Sequence, residues 1–230
     1  MTSRRPQVLR TISLCTLLAA ATGCERTPGD PHWFPLEPGR VWQYRVERTT
    51  MDGTRALRHV VHSARVPADS GLAGLRRTLD GRRLRYVRTA QGLFRIDAHG
   101  DRELVLPPAP AALASWQGSS TTSVLENTGP PWETLFRINV PVALRYTVTS
   151  TDASVETPAG HFEDCLLVEG RGSASADVGN YIGRAAITVE TREWFARDVG
   201  LLRLEREERT DAAALSGGRL VMELDAWRGE

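Results

Sequence analysis

The residues with the clearest chemical assignment are Ala21-Thr22-Gly23-Cys24. They close a segment in which Arg4, Arg5 and Arg10 give a basic start and Ile12 to Thr22 a short apolar run. Small residues before a cysteine at the end of such a run have the form of a lipobox, which directs cleavage ahead of the cysteine and lipidation of its thiol. Cys24 would carry a diacylglycerol thioether, and the amine freed by cleavage can be acylated too. Several chains anchor far more firmly than one, whose binding is marginal. The alternative is an ordinary secretory signal with a cysteine after the cut by chance, since Ala21 stands where leucine is commonest. The run is shorter than the ~20 residues that a spanning helix needs. Ser3-Arg4-Arg5 suggests twin-arginine export, but Gln7 and Val8 fit that motif poorly.

Little else in the sequence specifies a reaction. His59 and His62 are three apart, which on a strand sends them to opposite faces and disfavours a shared metal. His161 with Glu163 and Asp164 is the one local histidine–carboxylate cluster, and its place at a strand start favours solvent over chemistry. No nucleophile elbow, dinucleotide-binding glycine loop, paired Cys-x-x-Cys or calcium loop is present. All basic residues are arginine, which excludes Schiff-base and phosphate-loop lysines. We therefore expect no enzyme, no cofactor and no metal. Six tryptophans remain. Core packing accounts for most of them, but Trp116 and Trp132 fall in irregular segments and are the candidates to rim an apolar cavity or partner patch.

Three cysteines are present. Cys15 leaves with residues 1–23 and Cys24 takes lipid, so Cys165 alone stays as a thiol, and no disulfide can form within the mature chain. Exported domains that depend on disulfides carry an even set. This one must be held by its core, with Cys165 as a small buried apolar residue. Removing residues 1–23 moves the formal charge from +1 to about −2. That leaves no basic field for nucleic acid. The expected partners are a membrane, through the anchor, and an apolar ligand or an envelope protein.

The elements that must position these groups read as strands. Residues 24–39 are rich in proline, glycine and charge and form a tether and entry segment; residues 40–230 form one β domain. Trp42, Tyr44 and Val46 alternate with Gln43, Arg45 and Glu47, the period of a half-buried strand. Asp52-Gly53, Asp80-Gly81 and Gln91-Gly92 supply turns between candidate strands at Leu57–Val66, Leu75–Leu79, Leu84–Thr89 and Leu93–Asp97. Leu106 to Trp116 breaks the rhythm as a crossover loop or flap, with a turn of helix over Ala111–Ser115. Thr128-Gly129-Pro130-Pro131-Trp132 forms a second irregular link. Strands resume at Ala143–Thr151, His161–Gly170, Ala185–Ala196, Leu201–Arg209 and Arg219–Trp227. On a regular strand, Phe162, Leu166 and Val168 share one face, with Cys165 and Leu167 on the other. Glu205, Glu207 and Glu208 interleave with Arg203, Arg206 and Arg209, which reads as a solvated, charge-balanced face. The fold class is mainly β: a single large curved antiparallel sheet or half-open barrel with little helix.

Three segments, in order along nearly the whole mature chain, resemble a group of uncharacterised bacterial lipoproteins and secreted β domains. They are Phe34-Pro35-Leu36 with Gly39, Trp42 and Tyr44; Thr157-Pro158-Ala159-Gly160 with Phe162 and Cys165; and Trp194-Phe195-Ala196 with Val199-Gly200-Leu201-Leu202. His161 departs from that pattern where a small hydroxyl residue is usual, and Arg197-Asp198 where proline-glycine is common. The resemblance implies a mostly antiparallel sheet, distantly similar in architecture to the half-barrel of bacterial lipoprotein-carrier proteins. By similarity to lipoprotein sorting signals, Glu25 after Cys24 favours the periplasmic face of the outer membrane in a Gram-negative host.

Two functions follow as expectations, with a hydrolase as a third and less favoured one. A carrier of apolar ligand, lipid or lipoprotein needs an enclosed apolar cavity. An interaction module of an envelope complex needs an exposed apolar patch or an open sheet edge.

Overall fold

The computed structural model describes residues 33–50, 53–122, 126–129, 134–137, 139–177, 183–212, 215 and 217–229. Cys24, Trp132 and the whole signal segment lie outside these residues.

The strands are β1 (Val41–Thr50), β2 (Gly53–Ala64), β3 (Gly74–Thr78), β4 (Arg83–Thr89), β5 (Gly92–Ile96), β6 (Arg102–Leu106), β7 (Ser115–Thr121), β8 (Glu126–Gly129), β9 (Thr134–Arg137), β10 (Pro141–Thr157), β11 (Gly160–Asp177), β12 (Arg184–Ala196), β13 (Gly200–Thr210) and β14 (Gly218–Arg228). Among the described residues the helical content is one 3-10 turn, Ala68–Ser70. Twelve strands form a single antiparallel sheet in the order β6-β5-β4-β3-β2-β1-β14-β13-β12-β11-β10-β7, and β8-β9 form a separate hairpin. The large sheet curls until its edge strands, β6 and β7, face each other, so the barrel is nearly closed. Twist and curl of this kind bury one face of a long sheet without a second layer.

Alternation decides what goes inside. Along β12, Ala185, Ile187, Val189, Thr191 and Phe195 are buried while Arg184, Ala186, Thr188, Glu190 and Arg192 are exposed. The same register runs across the sheet: Trp116 lies opposite Tyr146, Tyr146 opposite Gly170, Gly170 opposite Thr191, and Thr191 opposite Arg206. On β13 this parity splits the charged run expected to be one solvated face. Arg203, Glu205, Glu207 and Arg209 lie outside, in ion pairs with Glu190, Arg219 and Glu223. Arg206 and Glu208 point inward as a pair 2.6 Å apart, with Glu208 fully buried.

The entry segment is part of the core. Trp33, Phe34 and Leu36 are buried against Tyr86, Leu93, Leu106 and Phe195. Arg76 holds the segment down: its guanidinium lies 3.8 Å from the centre of the Phe34 ring and 4.3 Å from that of Trp42, and its Nη2 donates to the Pro35 carbonyl at 2.8 Å. Trp42 Nε1 donates to Val199 O at 2.6 Å and Tyr44 Oη to Leu201 O at 3.0 Å, tying β1 to the β12–β13 turn. That turn needs Gly200, whose φ is +98° and whose added Cβ would come within 3.2 Å of Pro35; Asp198 also takes a positive φ.

Other local expectations are corrected. Ala111–Ser115 forms no turn of helix; Leu113 has a φ of +68° and Ser115 already begins β7. Trp116 lies on that strand, not in an irregular segment. Thr128 and Gly129 end β8, so the second link contains strand. β11 is not regular: Asp164 takes a φ of +51° at a bulge. The extra residue puts Cys165 beside Phe162 in one core cluster while Leu166 and Val168 pack in another.

Candidate functional site

The site is built around Trp116, the one expected ligand-binding residue that the structure describes. Its ring stacks on Tyr146, with centroids 5.5 Å apart and planes 19° from parallel. Tyr146 can lie flat because its neighbours are glycines. A Cβ on Gly118 would sit 2.9 Å from the Tyr146 ring, and one on Gly170 would sit 2.7 Å from it. Both rings line a cavity of about 120 Å³ where β6 and β7 meet, together with Arg95, Glu103, Glu193 and Phe195.

The lining is mixed: Leu104, Val105, Leu106 and Val168 join the rings, and three charged side chains stand among them. Arg95 and Glu103 form an ion pair, and the other oxygen of Glu103 accepts from the Ser119 N–H at 3.1 Å. A side chain thus joins the two sheet edges where no ladder does. Glu193 has inward parity on β12. Burial pushes its carboxyl up to about 7, against the pull of Arg206 and Arg95. Burial also raises the Tyr146 phenol, with Glu193 and Glu103 adding to the shift. Trp116 Nε1 is buried with no hydrogen-bond partner. Near neutral pH the lining therefore offers an indole N–H, a carboxyl that is partly protonated, and an arginine already neutralised by its partner.

Above this cavity Arg206 crosses the barrel interior, donating to Ser120 Oγ and Thr121 O on β7, both at 2.9 Å.

Sequence reasoning missed Glu193, Tyr146, Arg95 and Glu103. A usable signal existed for Glu193. It falls on the inward parity of a run reading Ala185, Ile187, Val189, Thr191, where a carboxylate is out of place. The remaining candidates are dispersed. His59 lies opposite Tyr44 and His62 opposite Val41, on opposite faces as expected. His161 is half exposed, 3.6 Å from Glu163 and 3.9 Å from Glu156. Cys165 is fully buried, and burial raises its thiol to about 11. Among the described residues no group of three or more histidine, cysteine or acidic side chains is placed to hold a metal.

No family model matches the chain, and no curated protein matches it significantly. Two solved structures are similar in fold. One is a candidate exported protein with a YmcC-like fold from Bacteroides fragilis, at 14% identity and a TM-score of 0.43, covering 85% of this chain and 98% of that one. The other is a candidate lipoprotein from Parabacteroides distasonis, at 13% identity and a TM-score of 0.41, with the same coverage. At these values neither neighbour lends this chain a function.

Proposed function

We propose that this chain is a non-enzymatic lipoprotein, anchored through Cys24 in the cell envelope, whose β domain serves as an interaction module for an envelope protein. The observation that carries this reading is how the barrel interior is used. Three apolar clusters, the entry segment held by Arg76, and the Arg206–Glu208 pair occupy it. The cavity at Trp116 is about 120 Å³, whereas pockets that bury most of a drug-sized ligand run from about 300 to 1,000 Å³. An acyl chain does not fit its size. Binding of an apolar ligand, the first function expected from sequence, is therefore less well supported than binding at the surface.

Two measurements test the reading. A Cys24→Ser variant should leave the membrane fraction while keeping its fold. Tryptophan fluorescence of that soluble variant should not change on titration with palmitate or phospholipid micelles. Saturable quenching at one lipid per protein would replace the module with a carrier.

A further inference from the structure

The outer surface is not uniform. Over β11 to β14 the exposed charges are paired: Glu169 with Arg171 and Arg192, Glu205 with Arg203 and Arg219, Glu190 with Arg209. The β1–β2 hairpin differs. β3 pairs only with Val61–Ala64 of β2, so among the described residues Gly53–Arg58 has a single neighbouring strand, β1. All six of these residues are exposed, and Leu57 is 60% exposed although it lies opposite Val46. Arg45 on β1 pairs with Glu223 of β14 at 3.5 Å, whereas β2 carries Arg55 and Arg58 and no acidic residue. Among the described residues, no ion pair involves Arg55 or Arg58.

An unpaired run of strand offers a row of backbone donors and acceptors to an added strand. We infer that Gly53–Arg58 is a docking edge for an extended acidic segment of a partner protein, which would add to the sheet beside β2. This rests on the interaction-module reading and specifies its surface. Charge complementarity selects the partner. Arg58 lies on one face of β2 and Leu57 on the other, so an alternating strand can set its carboxylates on the Arg58 side and its apolar residues beside Leu57. A second copy of this chain is disfavoured, because it would bring another Arg55 and Arg58 to an edge that has no acidic residue.

The test uses the soluble Cys24→Ser protein and a fluorescent heptapeptide alternating glutamate and valine. Three comparisons accompany it: the same peptide N-methylated at alternate residues, a lysine–valine peptide, and a single-stranded oligonucleotide of equal charge. The expected result is saturable binding of the glutamate peptide and loss of binding on N-methylation, because strand addition needs the amides. Arg55→Glu with Arg58→Glu should weaken the glutamate peptide about tenfold and create binding of the lysine peptide. Both side chains are exposed, so the thermal melt should not move; an unchanged melt makes any loss of binding specific. Equal binding of the N-methylated peptide or of the oligonucleotide would overturn the proposal in favour of charge alone. Absence of binding by the glutamate peptide would overturn it outright. In a parallel cross-linking experiment on native membranes, a partner retained equally by the wild type and the double variant would overturn the β2 edge while leaving the module intact. No cross-linked partner for either protein would count against the module itself.

Discussion

Two parts of the barrel interior hold charged groups, and they are treated in opposite ways. Around Arg76 the chain supplies the faces of Phe34 and Trp42 and the Pro35 carbonyl, while its Nε is left without a hydrogen-bond partner. Around Glu193 the chain leaves a cavity, a carboxyl pushed up to about 7 and an indole N–H with no partner. The difference follows from what closes each region. The Arg76 region is sealed by the entry segment, which packs as a plug. The Glu193 region lies at the seam between β6 and β7, where a Glu103 side chain substitutes for a ladder. Cations buried against aromatic faces and a carbonyl become structural, whereas a carboxyl beside a cavity stays responsive to pH.

The largest expected effect lies on the structural side of this comparison. Trp42→Ala removes a buried ring, its hydrogen bond to Val199 O and one face of the Arg76 cage, and should cost about 3–5 kcal/mol in urea unfolding. A loss under about 1 kcal/mol would mean that the plug is held by other contacts. Arg206→Ala comes next. It strips Glu208 of its 2.6 Å partner and frees β7 from the cross-barrel bonds, and should cost about 3 kcal/mol.

Glu193 gives the pH test. Its folded carboxyl titrates near 7, above the ordinary range of an unfolded one, so the folded state binds the extra proton between those values. Stability is therefore fully present below the ordinary carboxylate range and falls as pH rises through about 7, by on the order of 2 kcal/mol. Glu193→Gln should flatten that slope in unfolding curves measured across this window. If the variant kept the slope, another group would be responsible. The smallest effect belongs to the outer lattice. Arg219→Ala, which loses an exposed pair with Glu205, should shift the unfolding midpoint by an amount equivalent to less than about 1 kcal/mol.

The same contrast explains what the sequence made legible. β1, β2 and β10 to β14 could be read because one face is buried and the turns are marked, as at Gly160 (φ +134°) and Gly200. The fold class followed from these strands. β7 could not be read, because its inward positions after Trp116 are Gly118 and Ser120. The glycine is covered by Tyr146 and the serine bonded by Arg206, so no apolar alternation marks the strand. The site was half legible for the same reason. Trp116 was visible as a tryptophan outside the pattern. Its surroundings were not, since a seam between strands distant in sequence brings together Arg95, Glu103 and Glu193. On β13, reading Arg203 to Arg209 as one face overlooked that a period of two sends Arg206 and Glu208 the other way.

On the proposed reading, recognition happens on the outer surface of the barrel and not in its interior. Native mass spectrometry of the protein purified from its own membrane tests this most directly. The account predicts an acyl mass on Cys24 and, after proteolytic release of the domain from its anchor, a β domain carrying no small molecule. A released domain that retained one lipid in every molecule would contradict it.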